Sequence, residues 1–369
     1  MKEIDPIIVI CIDGFDPEYF NVIDTPNIDQ LIQNGGFYCI GRSMWPSVTN
    51  VNNVSILTGE YPSVHGICSN YRYVQETGKE IYMESSEYIL SPTIFTLAKE
   101  KGVETLLATS KDKLRTLLGK DATNTISSEQ PDEWLVNILG HPPEIYSLEV
   151  NAWTIKSANV AIDKYMPKFT YITTTDYAMH KFAPEKPESK LHLQMIDHEI
   201  GDLARKHTNA TIIISADHGM SAKTHLVDLG KILTNVGIEN NAVPIIKDRY
   251  VAHHANLGGG YIIYLDESNV SKAIDILSSV EGVDAVLTRD EAVKKFKLNA
   301  SRIGQIIVNG NKNTVFGNTA EIDMPANLRS HGSEHERKVP IIGYNLQNRE
   351  FQFSENRDIG KYVIKVLGL

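Results

Sequence analysis

The chain has 369 residues, 42% of them hydrophobic, and a formal net charge of −10. That length exceeds what one hydrophobic core usually fills, so a large domain carrying a smaller inserted one is expected. The acidic balance argues against a nucleic-acid or membrane partner, which would need a cationic surface, although a single cleft can still be cationic.

Cys11, Cys39 and Cys68 are odd in number and widely spaced. They suit neither a disulfide framework nor a zinc ribbon, and they read as buried thiols of a reducing compartment. The N-terminal stretch MKEIDPIIVICIDGF enters an apolar run too short to span a bilayer and lacks a cleavage region. A cytoplasmic protein is expected.

Residues 6–12, PIIVICI, are apolar and β-branched, and predict a buried parallel strand ending at Asp13. TPNIDQLIQNG (25–35) has Thr, then Pro, then a Gly stop, so it predicts a helix. In WPSVTNVNNVSILTGEYPSVHGICSN (45–70), Thr49 stands on the first turn of a helix-like run and Asn70 closes the stretch; His65 reads as structural. Helical patterns follow at 92–101, 111–119, 153–166 and 187–206. Strands are expected at 103–109, 169–176, 210–219 and 339–345, with a terminal helix at 358–368. The alternation predicts a layered α/β fold with a mainly parallel sheet. Residues 221–327 break into short β-α-β-α-β pieces and read as an inserted α+β cap, with 1–220 and 328–369 forming the core.

In open α/β sheets, ligands bind beyond the carboxyl ends of the strands. Asp13, Asp176 and Asp217 end three strands at that edge. Clustered carboxylates repel unless something positive sits among them. His180 in D-x-x-x-H, His218 in DHG and His331 in RSHGS add three imidazoles. Six such ligands suit two zinc ions, with manganese or iron as conceivable substitutes. Two ions about 4 Å apart can stabilise the attacking and leaving oxygens of a phosphoryl displacement. A threonine alcohol is a poor nucleophile until its proton is removed, and Thr49 becomes a good one if it reaches such an ion. Its helix start offers N–H groups to a phosphoryl oxygen, and Asn70 can donate to another.

The segments IDGF, PSVTNVNNVSILTG, HGICSNY, TTTDYAMH, SADHGM and RSHGSE resemble the alkaline phosphatase superfamily, in the branch with a threonine nucleophile. The likeness covers about residues 6–220 and 327–345. It implies a three-layer alkaline-phosphatase-like core. Within that branch, ATSKDKLRTLLG (108–119) resembles the phosphonoacetate hydrolases. This resemblance implies hydrolysis of phosphonoacetate to acetate and phosphate at a di-zinc site. One zinc would be held by Asp176, His180 and His331, the other by Asp13, Asp217, His218 and Thr49. Thr49 would attack phosphorus and form a phosphothreonine, Asn70 would bind the phosphoryl group, and Lys111 and Lys113 would receive the substrate carboxylate. Independently, a K-D-K turn supplies point charges for a small carboxylate and for charge building on the departing carbon.

The expected partner is a small anionic phosphonate or phosphate ester. A nucleotide pyrophosphatase/phosphodiesterase-like hydrolase of phosphate esters is the competing reading and would want an aromatic slot. A mutase-like or non-catalytic phosphate binder is disfavoured by the intact Thr49 and six ligands. His253 and His254, in YVAHHANLGGGYIIYL, read as polar surface. The RSHG context carries the resemblance and with it the ligand role of His331; His335 falls in a charged run and reads as surface loop. The sequence does not specify an assembly; a homodimer is compatible with it.

Overall fold

The structure, a computed structural model, describes residues 5–369, so the first four residues of the N-terminal reading lie outside the described residues. Its centre is a seven-stranded sheet. In spatial order the strands are Phe37–Arg42, Lys338–Tyr344, Thr211–Ser215, Ile7–Cys11, Phe169–Thr173, Thr105–Thr109 and Asn124–Ser127. Ile7–Cys11 pairs parallel with both neighbours, and only Lys338–Tyr344 runs against the rest.

The strand IIVIC is buried at every position, because helices cover both faces of the sheet. Ile7, Val9 and Cys11 face one core, Ile8 and Ile10 the other. This alternation is the period-two geometry of a strand. The first face is closed by helices Thr49–Thr58, Ile94–Glu100, Asp112–Leu118 and Asp358–Leu367. The second is closed by Pro26–Gln33, Val150–Tyr165 and Pro187–Lys206. Helix Ile94–Glu100 starts where the Thr93 hydroxyl accepts the Thr96 N–H at 3.2 Å.

A second sheet, wholly antiparallel, orders Asn240–Pro244, Gly260–Leu265, Ile306–Gly310 and Val283–Thr288. Helices Leu229–Asn235 and Val270–Leu277 pack on one of its faces through Leu233, Ala273 and Leu277. Its other face meets the main body. There Trp45 stacks on Phe296 with ring centroids 4.6 Å apart, and Ile262 and Ile307 join the first core. Cys11 and Cys68 are buried and Cys39 only half-buried, all three unpaired. Among the described residues, no helix is long and apolar enough to cross a membrane.

Candidate active site

Three strands of the main sheet deliver their carboxylates to one edge. Asp13 follows Ile7–Cys11, Asp217 and His218 follow Thr211–Ser215, and Asp176 caps the short helix Tyr177–Lys181 after Phe169–Thr173. That helix places His180 one turn beyond Asp176, on the same face. His331 arrives just after Arg329–Ser330, which pairs with Ser221–Ala222. All six side chains are buried; Asp13, Asp217 and His218 lie within ligand-sharing distance of one another, as do Asp176, His218 and His331, while His180 shares such a group with Asp176 and His253.

Backbone carbonyls orient the three imidazoles. His180 Nδ1 lies 2.6 Å from the Arg329 carbonyl, His331 Nδ1 2.7 Å from that of Ser47, and His218 Nδ1 3.0 Å from that of Gly219. A carbonyl only accepts, so each Nδ1 carries a proton, and in the neutral imidazole each Nε2 presents a lone pair; without a cation the Asp217 and Asp13 carboxylates favour a second proton on His218 Nε2, the place a metal ion would take. These lone pairs meet carboxylate oxygens. His180 Nε2 is 2.9 Å from Asp176 Oδ2 yet makes no hydrogen bond, and His331 Nε2 is 3.6 Å from the same oxygen. At the other end, His218 Nε2 lies 3.3 Å from Asp13 Oδ1 and 3.6 Å from Asp217 Oδ2, and Asp13 Oδ1 is a buried acceptor with no donor. Lone pairs facing lone pairs in a dry cluster repel; a cation between them turns repulsion into coordination. The donor set therefore fits bound metal cations.

Charge supports the same fit. Burial, then the charge of Asp13, pushes the Asp217 carboxyl up to about 8. Burial opposes charging His218, but Asp217 and Asp13 outweigh it and raise the imidazole to about 9. Of the three carboxylates, Asp13 and Asp176 pair with the Lys111 ammonium, and Asp217 is left to His218.

Thr49 opens the helix Thr49–Thr58, all ten residues of which are buried. Its hydroxyl lies 3.4 Å from His218 Nε2. The polar run TNVNN, unusual for a buried helix, is wired to its surroundings. Asn52 Nδ2 donates to the carbonyls of Met44, Pro46 and Val48, fixing the approach to Thr49. Asn53 Nδ2 donates to Thr49 O and to Asp217 Oδ2, while Tyr171 donates to Asn53 Oδ1. Gly59 ends the helix in the left-handed region, at φ 70°, which favours glycine. Asn70 is buried, with Oδ1 3.4 Å from the Asn50 N–H on that first turn.

A family model described as type I phosphodiesterase / nucleotide pyrophosphatase matches residues 7–335. The chain belongs to this family. It is a hydrolase of the alkaline phosphatase superfamily. A solved phosphonoacetate hydrolase from Sinorhizobium meliloti 1021, in complex with phosphonoacetate, superposes with a TM-score of 0.89 at 32% identity, over 98% of this chain and 95% of that one. The same enzyme in complex with phosphonoformate superposes equally well. An uncharacterized pyrophosphatase/phosphodiesterase of Schizosaccharomyces pombe is 28% identical over 58% of this chain and 44% of its own length. A venom phosphodiesterase of Naja atra is 28% identical over 59% of this chain and 26% of its own. The chain thus spans less than half the length of these curated relatives.

In this phosphodiesterase-family chain the two lysines of the K-D-K turn are buried rather than solvated. Lys111 Nζ lies 3.0 Å from Asp13 Oδ2 and 2.8 Å from Asp176 Oδ1, on the sides of those carboxylates turned away from the imidazole lone pairs. Burial alone would depress its pKa; the two carboxylates outweigh that and hold it well above the usual range. Lys113 Nζ pairs with Asp248 Oδ2 at 2.5 Å. Tyr250 Oη donates to Glu129 Oε2 at 2.8 Å, and neither this pair nor Asp248 is legible in the sequence, because the partners lie more than a hundred residues apart. His253 and His254 are corrected: they are buried, on the short helix Val251–His254 turned inward, not polar surface. His335 is half-exposed and pairs with Asp284 at 2.6 Å, apart from the ligand cluster. His65 is buried, its Nε2 2.8 Å from Ser55 Oγ.

Proposed function

We propose that this chain hydrolyses the carbon–phosphorus bond of phosphonoacetate to acetate and phosphate. Asp176, His180 and His331 would hold one zinc ion and Asp13, Asp217, His218 and Thr49 a second. The ions would supply the Lewis acidity that ionises an alcohol and neutralises phosphonate oxygens. Thr49 Oγ1 attacks phosphorus, the P–C bond breaks, and its electron pair moves onto carbon and into the carboxylate. Lys111 and Lys113 stabilise that developing charge, the carbon takes a proton, and acetate leaves. Water then cleaves the phosphothreonine to release phosphate. The Asn70 amide and the N–H groups of the first turn of helix Thr49–Thr58 hold phosphoryl oxygens.

The observation that carries the reading is the pair of buried lysines beside the carboxylate–imidazole cluster. A diester substrate has no carboxylate for them. The likeness to a phosphonoacetate hydrolase over nearly the whole chain supports the same substrate. The decisive assay compares phosphate release from phosphonoacetate with turnover of bis(p-nitrophenyl) phosphate. Preference for the diester would sink the reading. One observation favours that alternative: Tyr82, Tyr88, Tyr146 and Tyr250 line a cavity of about 720 Å³ that reaches Lys113 and could stack a nucleobase. Three unpaired cysteines support a cytoplasmic location.

A further inference from the structure

We propose that His253 is a further substrate-binding residue, donating from Nε2 to the carboxylate end of the substrate beside Lys111. The inference deepens the phosphonoacetate reading and rests on it.

The argument starts from the two oxygens of Asp176. Oδ2 faces the acceptor nitrogens of His180 and His331, so that side is built for a cation. Oδ1 faces donors: Lys111 Nζ at 2.8 Å and His253 Nε2 at 3.3 Å. His253 differs from the three ligand-type imidazoles in its tautomer. Theirs is set by a backbone carbonyl on Nδ1. His253 Nδ1 is buried and meets no partner, while its Nε2 faces a carboxylate oxygen, so the proton belongs on Nε2. Asp176, His180 and His253 also lie within ligand-sharing distance of one another, but this tautomer makes His253 Nε2 a donor toward Asp176 Oδ1. An ammonium and an imidazole N–H that converge on one carboxylate oxygen form a ready seat for another carboxylate. A cation held by Asp176, His180 and His331 would draw charge from the Asp176 carboxylate and so would leave Lys111 and His253 able to turn to the substrate.

The segment carrying His253 is held at this spot. Asp248 Oδ2 pairs with Lys113, and its Oδ1 accepts the Tyr250 N–H at 2.8 Å and His254 Nε2–H at 3.0 Å. Asn256 closes the loop, donating its N–H to His254 Nδ1 at 2.9 Å and accepting the Asp248 N–H at 3.1 Å. The rings of Tyr146 and Tyr177 flank His253, with centroids 5.6 Å and 6.4 Å away. One lysine of the K-D-K turn thus shares an oxygen with His253, and the other anchors the segment that presents it.

The test uses zinc-loaded parent, His253→Ala and His253→Gln, whose side-chain amide restores a donor near Nε2. Titration calorimetry, with all three proteins carrying Thr49→Ala so that no phosphothreonine forms, measures affinity for phosphonoacetate and for methylphosphonate, which lacks the carboxylate, and elemental analysis gives zinc content. His253→Ala should weaken phosphonoacetate roughly 10- to 100-fold, the span for a hydrogen bond to a charged group. Methylphosphonate affinity and zinc content should stay at parent values, and His253→Gln should recover most of the loss. Loss of zinc would make His253 a ligand instead. Equal weakening of both phosphonates, or of neither, would overturn the proposal. A parent that binds the two equally would sink the substrate reading and this inference with it, whereas a preference undiminished in His253→Ala sinks the inference alone.

Discussion

The strand ends of the main sheet and the segment 248–256 both bring charged groups to the same place, by opposite means. At the strand ends, regular backbone does the positioning: parallel pairing aligns Ile7–Cys11 with Phe169–Thr173 and Thr211–Ser215, so the residues that follow emerge side by side. In 248–256 no regular element is longer than Val251–His254, and position comes from the Asp248–Lys113 pair and a cage of hydrogen bonds. The first arrangement collects acceptors and suits cations. The second collects donors and suits an anion. Asp176 stands between them, one oxygen turned to each.

Four changes would break or sharpen that contrast. Thr49→Ala removes the nucleophile and should cut phosphonoacetate turnover by at least about 10⁴-fold, measured by phosphate release, with zinc content close to the parent. Lys111→Met should cost roughly 10³-fold in kcat/KM for phosphonoacetate, through lost stabilisation of charge on the leaving carbon, and far less for a diester. If both substrates suffer alike, Lys111 serves the metal ligands rather than the carboxylate.

Glu336→Gln should destabilise the fold by about 3 kcal/mol, since it breaks a fully buried pair with Lys223. Burial alone would raise the Glu336 carboxyl, but Lys223 and the hydroxyls of Ser221 and Ser333 outweigh it and hold it at about 2, down from 4.5. The folded pKa is depressed, so this stability is present above pH 4.5 and is lost as pH falls toward 2. Denaturant melts of the parent should show that acid limb, and those of the variant should show it flattened. His254→Ala should cost about 1 to 2 kcal/mol by the same melts, because it leaves Asp248 Oδ1 short of a donor without touching the strand ends.

The same contrast explains what the sequence could tell. Asp13, Asp176 and Asp217 were legible because each ends an apolar run, and the carboxyl edge of a parallel sheet is where such residues meet. His180 was legible from its one-turn spacing, and Thr49 from its helix start. The strands and long helices followed from period and capping; Pro187–Lys206 begins and ends where its Pro and cationic last turn predict. The strand Phe37–Arg42 and the hairpin of Tyr71–Val74 with Lys79–Tyr82 were missed, because half-buried edges carry weak alternation. Asp248 and Lys113 are 135 residues apart, and Glu336 and Lys223 113, so no local pattern could pair them. The pair His253-His254 reads as surface in the sequence, since a histidine pair in a short loop says nothing about which way the loop turns.

The most direct test is anomalous scattering at the zinc edge from crystals of the zinc-loaded protein. Two peaks are predicted, one within coordination reach of Asp176 Oδ2, His180 Nε2 and His331 Nε2, the other within reach of Asp13, Asp217, His218 Nε2 and Thr49 Oγ1. Neither should touch His253. A single peak, or one bound to His253 Nε2 and Asp176 Oδ1, would contradict the account.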